Sequence, residues 1–222
     1  MKLTIFAATG GIGRQLLAQA AAAGHEVTAV VRNPDALPAT RARIVVADLA
    51  TAGPSVLRAA VDGADAVLSG LGARSRRDAG IARRGTAAIA SAMRTCGVRR
   101  IVVVSAAPVG TVPSPGRPNP PRHDPGDGFF MRHLAAPTIK AVLREHYADL
   151  ARMEDVLLDS GLDWTVVRPP RLTNGPMTGK YRTNLGQNVR RGLTISRADV
   201  AHLMLRAVEQ PETIKQTIGI AK

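Results

Sequence analysis

Cysteine is almost absent from this chain of 222 residues: Cys96 stands alone, which excludes an internal disulfide. With no second cysteine and no histidine cluster near it, no metal site is expected, and Cys96 reads as helix packing. Aromatic residues make up only 3%, too few for the stacked rings that hold single-stranded nucleic acid. No apolar run reaches the roughly 18 residues of a membrane span. The N-terminus enters a strand directly instead of a basic, apolar, cleavable leader. The expectation is a soluble, cytoplasmic protein without nucleic acid or membrane as partner. Acids are also scarce, 17 against 30 lysines and arginines, for a net charge of +13. Unbalanced cations concentrate anions around a protein. Here, though, the arginines are scattered in short doublets (Arg76-Arg77, Arg83-Arg84, Arg99-Arg100, Arg190-Arg191) and form no stripe, so the excess reads as solvated faces.

What is present is alternation. A hydrophobic content of 45% over this length suits one well-cored domain spanning 1–222. Apolar strand-like runs at 3–6, 27–32, 44–46, 66–69, 100–105 and 164–168 alternate with helical patterns at 12–23, 55–61, 83–96 and 139–159. Gly24, Gly97 and Gly161 follow three of those helices as stop signals. Ser196 is a plausible N-cap for a last helix, and 216–220 read as an edge strand. Such alternation means an α/β fold with a doubly wound parallel sheet. Between Pro108 and Pro137 the chain is proline-rich and reads as a long loop, of the kind that is either a functional lid or disordered. Phe129 and Phe130 within it either anchor the loop or stack on a flat substrate. Residues 171–181, with Met177, read as a further loop on the substrate side. No internal repeat and no interdomain linker is evident.

The most informative segment is Ala7-Ala8-Thr9-Gly10-Gly11-Ile12-Gly13. A strand leads into it and a helix leaves it, so a phosphate placed there would face a helix N-terminus, where unpaired N–H groups and the helix dipole favour an anion. Gly10 and Gly13 allow close backbone approach, although Ala7 stands where the usual fingerprint has its first glycine. The next strand ends in Arg32. An acid there would bond the ribose 2′-OH of NAD, whereas an arginine pairs with the 2′-phosphate of NADP. Ligands of open α/β sheets lie beyond the carboxyl ends of the strands, so Gly10, Arg32, Asp48, Gly70 and Ser105 are expected along one crevice.

Taken together, these blocks resemble the atypical short-chain dehydrogenase/reductases, in particular the NmrA-like and biliverdin IXβ reductase/flavin reductase branch. The resemblance rests on Ala8-Thr9-Gly10-Gly11-Ile12-Gly13, Val30-Val31-Arg32, Val46-Ala47-Asp48, Gly70-Leu71-Gly72, Val104-Ser105-Ala106, Ser160-Gly161-Leu162, Arg168-Pro169-Pro170, Pro176-Met177-Thr178-Gly179 and Ile195-Ser196-Arg197-Ala198-Asp199-Val200. It implies a single Rossmann-type NAD(P)-binding domain with NADP(H) as cofactor. By the same resemblance Thr9, Gly10, Gly11, Ile12 and Gly13 would hold the pyrophosphate and Arg32 the 2′-phosphate. Asp48 and Leu49 would edge the adenine, and Gly70, Leu71 and Gly72 the ribose near the nicotinamide. Ser105, Pro169 and Pro170 would face the nicotinamide itself.

The usual catalytic pair of short-chain dehydrogenases, a tyrosine four residues before a lysine that lowers its pKa, is missing. None of Lys2, Lys140, Lys180, Lys215 and Lys222 has a tyrosine at that spacing, and Tyr147 is followed there by Ala151. Carbonyl–alcohol chemistry by the usual route is disfavoured. A flavin, quinone or other flat conjugated acceptor needs less help, since the cofactor carries the difficult chemistry. Ser105 is then expected as a hydrogen-bond donor to that acceptor, or as a simple strand-end cap. Arg171 replaces the histidine of the flavin reductases after Pro-Pro. It offers a fork for an anionic substrate or makes a surface ion pair. A redox sensor that binds NADP without turnover and a biosynthetic tailoring reductase stay open beside the flavin reductase-like reading.

Overall fold

The computed structural model describes residues 1–72, 78–126 and 143–222. Their strands are β1 (Lys2–Phe6), β2 (Glu26–Val31), β3 (Arg43–Val46), β4 (Ala66–Ser69), β5 (Arg100–Val104), β6 (Asp163–Arg168), β7 (Arg171–Thr173), β8 (Arg182–Leu185), β9 (Thr194–Ser196) and β10 (Gln216–Ala221). The helices are α1 (Gly11–Ala22), α2 (Pro54–Val61), α3 (Ile81–Thr95), α4 (Arg144–Leu158) and α5 (Arg197–Val208). An eight-stranded sheet runs β3-β2-β1-β4-β5-β6-β10-β8, and β7 pairs with β9 in a separate two-stranded sheet. Every pairing in the large sheet is parallel except β10 with β8. The first six strands thus have the doubly wound dinucleotide-binding order, which reverses between β1 and β4 and opens a crevice there.

Both faces of the sheet are covered, which is why its central strands read as unbroken apolar runs: all five residues of β5 and all four of β4 are buried. On one face α1 and α5 pack through Leu16, Leu17, Ala20, Val200, Leu203 and Met204 onto Leu3, Ile5, Leu68 and Val102. On the other, α2, α3 and α4 bring Leu57, Ile89, Met93, Leu150 and Leu157 onto Phe6, Val67, Ile101 and Val103. Helix ends follow the expected chemistry. Gly24, Gly97 and Gly161 all have positive φ, and Ser196 caps α5 by accepting from the Asp199 N–H at 2.9 Å.

Two expectations need correction. The strand at 216–221 is not an edge: β8 lies outside it, antiparallel, and the loop expected over 171–181 opens with β7, which pairs with β9 just before the last helix. The helix expected over 139–159 is present over Arg144–Leu158, and residues 139–142 lie outside the described residues. The first half of the proline-rich segment is built and is no structureless loop. Residues Ala107–Thr111 form a 3-10 turn, and Ser114 bridges Arg117. Asp155 of α4 accepts from Ser114 Oγ at 2.8 Å and from the Gly116 N–H at 3.1 Å. Buried Asp124 accepts from the N–H groups of Gly126 and Asn188 at 2.8 and 2.9 Å. These bonds satisfy backbone groups that prolines cannot pair with one another. Phe129 and Phe130 lie outside the described residues.

Part of the basic excess is structural. Arg100 is buried beneath α5, donating to the carbonyls of Asp163, Ala207 and Val208 and to the Thr213 hydroxyl. Its neighbour Arg99 pairs with Asp163 at 3.0 Å. That one doublet supplies an internal staple and a surface ion pair.

Candidate functional site

At the end of β1 the chain turns on Ala7, whose φ of 57° is the left-handed conformation that glycine adopts more easily. Alanine is tolerated there, and the Gly10 N–H closes the turn on the Ala7 carbonyl at 2.8 Å. Gly13 is indispensable for space: a Cβ on it would stand 2.1 Å from the Ala7 carbonyl oxygen. Gly70, after β4, backs the same turn, since its Cβ would lie 3.3 Å from the Gly13 nitrogen. Helix α1 begins here with no side-chain cap and no acid in its first turn. No side chain caps its leading N–H groups, and the dipole there favours an anion.

Beside the turn a cavity open to solvent is lined by Ala7, Thr9, Val30, Val31, Arg32, Ala47, Asp48, Leu49, Leu71, Gly72, Asp78 and Ile81. The fold thus brings Thr9, Arg32, Asp48, Leu49, Leu71 and Gly72 together around one space. Gly10, Gly11, Ile12, Gly13 and Gly70 form the turn adjoining it. The Asp48 carboxylate accepts from the Ala50 N–H at 3.0 Å, which shapes the wall of the cavity. Asp78 was not legible in the sequence. It stands far from the Arg32 strand along the chain, yet its carboxylate meets Arg32 Nη1 at 3.1 Å.

Ser105, Pro169 and Pro170 follow β5 and β6, farther along the same carboxyl edge, and are not among the residues lining that cavity. The two strand ends are tied by Ser105 N–H to Val167 at 2.8 Å and Ala107 N–H to Pro169 at 2.9 Å. The donor role expected of Ser105 is redirected. Its hydroxyl donates to Glu154 Oε1 at 2.7 Å, and a serine has only one proton to give. Glu154, on α4, also takes a two-pronged contact from Arg168, through Nε at 2.9 Å and through Nη2. Arg117 Nη2 lies 3.8 Å from the same carboxylate. Ser105, Glu154 and Arg168 are each under 10% exposed, so this is an interior network whose charges are paired. Arg117 is partly buried, and burial lowers its pKa while Glu154 opposes the shift. One sequence signal pointed to Glu154: it is an acid on the apolar stripe of α4, between Leu150 and Leu157.

Tyr147 cannot take the tyrosine's customary part. It is packed with Ala151 and Leu150 against the sheet, and burial raises its phenol above the ordinary value where catalysis would need it lowered.

Arg171 is exposed at the start of β7, in register with Thr194. It has no ion-pair partner among the described residues. Met177 is 51% exposed on the following segment, which Asp199 holds in place. The Asp199 carboxylate, on the first turn of α5, accepts from the N–H groups of Thr178 and Gly179 at 2.7 and 3.0 Å and from the Ser196 hydroxyl at 2.8 Å. Burial alone would raise its pKa, but these bonds, with one from the Thr178 hydroxyl, outweigh it and hold the carboxyl below its usual value. Among the described residues no cluster of metal-ligating side chains occurs, and no helix is long and apolar enough to cross a membrane.

An uncapped helix behind a glycine turn, at the switch point of a doubly wound sheet, defines a Rossmann-type dinucleotide-binding protein. The chain belongs to the NAD(P)H-binding family, whose model matches residues 7–211. A protein of Bacillus subtilis described as an uncharacterised sugar epimerase, YhfK, is 27% identical over 230 residues, covering 100% of this chain and 94% of that one. Among solved structures, a short-chain dehydrogenase/reductase from Veillonella parvula in complex with NADP superposes with a TM-score of 0.77 at 19% identity, covering 100% of this chain and 94% of that one. ChuY, an anaerobillin reductase from Escherichia coli O157:H7, gives 0.76 at 23%, covering 100% and 97%. The dinucleotide-binding expectation and the α/β doubly wound fold are met.

Proposed function

We propose that this protein is an NADPH-dependent reductase whose acceptor is a flavin, a quinone or another flat conjugated molecule. The carrying observation is that neither side chain placed for proton donation is free to donate. The Ser105 proton is engaged by Glu154, and Tyr147 is buried beside an alanine where a lysine would be needed. A simple carbonyl or a sugar carbon depends on such a group. A conjugated acceptor spreads the incoming charge and collects its proton from water. The same absence weighs against an epimerase activity for this chain of the kind YhfK is named for, while similarity to ChuY, an anaerobillin reductase, agrees with the reading.

The residues present fit the cofactor. Thr9 to Gly13 and the α1 N-terminus would hold the pyrophosphate, Arg32 the 2′-phosphate, Asp48 and Leu49 the adenine edge, and Gly70 to Gly72 the ribose. Bound there, reduced nicotinamide supplies a hydride. The remaining work falls to the chain: Pro169 and Pro170 wall the crevice, Ser105 presents oxygen lone pairs to a ligand N–H or O–H, and Arg171 offers its fork to an anionic acceptor. Reaction requires donor and acceptor atoms held at about 3–3.5 Å.

The test is a panel of flavins, quinones and enones mixed with protein and NADPH, following the absorbance of the reduced nicotinamide. Steady consumption with a conjugated acceptor is the expected result. Tight NADPH binding without turnover on any of them would replace the enzyme with a redox sensor, and turnover restricted to simple carbonyls or sugars would overturn the acceptor class.

A further inference from the structure

Gly11 is exposed, yet the space beside it is taken. A Cβ on Gly11 would stand 2.6 Å from Cδ and 2.7 Å from Nε of Arg197. This arginine, the first residue of α5, reaches across from the far end of the sequence and lies against the turn where α1 begins. Its Nη1 donates to Asn174 Oδ1 at 2.7 Å. Among the described residues no carboxylate pairs with it. The one acid close to it in sequence on the same helix turn, Asp199, is engaged by Thr178, Gly179 and Ser196. A guanidinium has five N–H donors, so the Asn174 contact orients the fork and leaves most of it available.

We infer that Arg197 is a pyrophosphate ligand, closing on the dinucleotide's phosphates from the side opposite the α1 N-terminus. This rests on the dinucleotide-site reading and adds a residue to it. The uncapped N–H groups of α1 provide partial charge only, and two phosphates carry two full negative charges. A guanidinium beside the turn supplies a formal positive charge with bidentate geometry. Asn174 lies on the segment that carries Met177, so the same contact links cofactor occupancy to the substrate side of the crevice. Gly11 is then glycine for two reasons: its N–H faces the phosphates, and any side chain would displace Arg197.

The test compares three probes by calorimetry on Arg197→Ala, Arg197→Lys and the unmutated protein. Arg197→Ala should weaken NADPH and NADH by the same factor, about ten- to a hundredfold for a charge-assisted phosphate contact. Adenosine 2′-phosphate, which has no pyrophosphate, should bind unchanged. Arg197→Lys should recover part of the loss, and it stands in for the alanine variant should that one not fold. Hydrogen exchange through 174–181 should slow on adding NADPH to the unmutated protein and not to Arg197→Ala. Unchanged dinucleotide affinity in the variants, or an equal loss for adenosine 2′-phosphate, overturns the assignment. Failure of the unmutated protein to bind either dinucleotide would instead overturn the cofactor site itself.

Discussion

Arg32 and Asp78 face each other across the mouth of the cofactor cavity, Nη1 to Oδ1 at 3.1 Å, with the arginine side chain 53% exposed and the aspartate 16%. An ion pair this open contributes little to folding. Its consequence is for ligand choice. A 2′-phosphate placed there would be attracted by the arginine and repelled by the carboxylate beside it.

On the proposed placement of the 2′-phosphate at Arg32, cofactor preference is the balance of these two side chains. Arg32→Ala should weaken NADPH by about ten- to a hundredfold and leave NADH nearly unchanged, the loss of one charge-assisted phosphate contact. Asp78→Asn should act oppositely, tightening NADPH several-fold by removing the repulsion, with a smaller effect on NADH because the amide oxygen still accepts from a 2′-hydroxyl. Dissociation constants of both cofactors for the three proteins decide the matter. Equal affinity for NADPH and NADH in the unmutated protein, unmoved by either change, would remove the pair from cofactor selection.

The buried network makes a separate prediction for Ser105. Ser105→Ala should keep NADPH binding, because the hydroxyl is not among the groups lining the cavity beside the glycine turn, and, on the proposed role of its oxygen toward the acceptor, should lower turnover. Glu154→Gln should damage the fold more than the chemistry. It leaves Arg168 buried without its counter-charge, at a cost of about 3–5 kcal/mol, readable as a fall in the denaturant midpoint. Turnover unchanged in Ser105→Ala would reduce that residue to a strand-end tie.

Much of this was legible because the central strands are buried on both faces and the helices end on glycines, so apolar runs and stop signals coincide. The lost elements lacked that support. β7 (Arg-Leu-Thr) and β8 (Arg-Thr-Asn-Leu) carry no apolar run, and Leu185 is 54% exposed. Their pairing is imposed by β9 and β10, which no local pattern reveals. The site divides in the same way. Thr9 to Gly13 and Arg32 form a local unit within one βαβ segment, so spacing alone exposes them. Asp78, Glu154 and Arg197 act across the sheet or between helices, and only the folded chain shows which partner each meets.

Asp199 gives the segment around Met177 a pH dependence. Its folded carboxyl lies below its ordinary value of 3.8, so its stabilising contribution is complete above that value and is lost as pH falls through the lower folded value. The unmutated protein should thus lose melting temperature at this site only below about pH 4. Asp199→Asn should melt lower at neutral pH, since an amide nitrogen in place of Oδ2 can no longer accept from the Ser196 and Thr178 hydroxyls and the charge that strengthens the N–H bonds to Oδ1 is lost, and its acid slope should be shallower. Parallel melting curves against pH in the two proteins would contradict this.

Arg171 is the position at which the chain leaves the flavin reductase pattern, and its exposed guanidinium has no carboxylate partner among the described residues. If it anchors the acceptor, activity should favour molecules bearing a carboxylate or phosphate. Arg171→Ala should then raise their KM by about tenfold, the loss of one charged hydrogen bond, and spare neutral analogues. Arg171→His restores the residue that the resemblance leads one to expect and introduces a group titrating near 6.5 when unperturbed. Its kcat/KM for anionic acceptors should fall as pH rises through that region, because a neutral imidazole no longer holds the anion, whereas arginine stays charged throughout. An equal loss for charged and neutral acceptors in Arg171→Ala would make the residue structural and end the case for an anionic substrate.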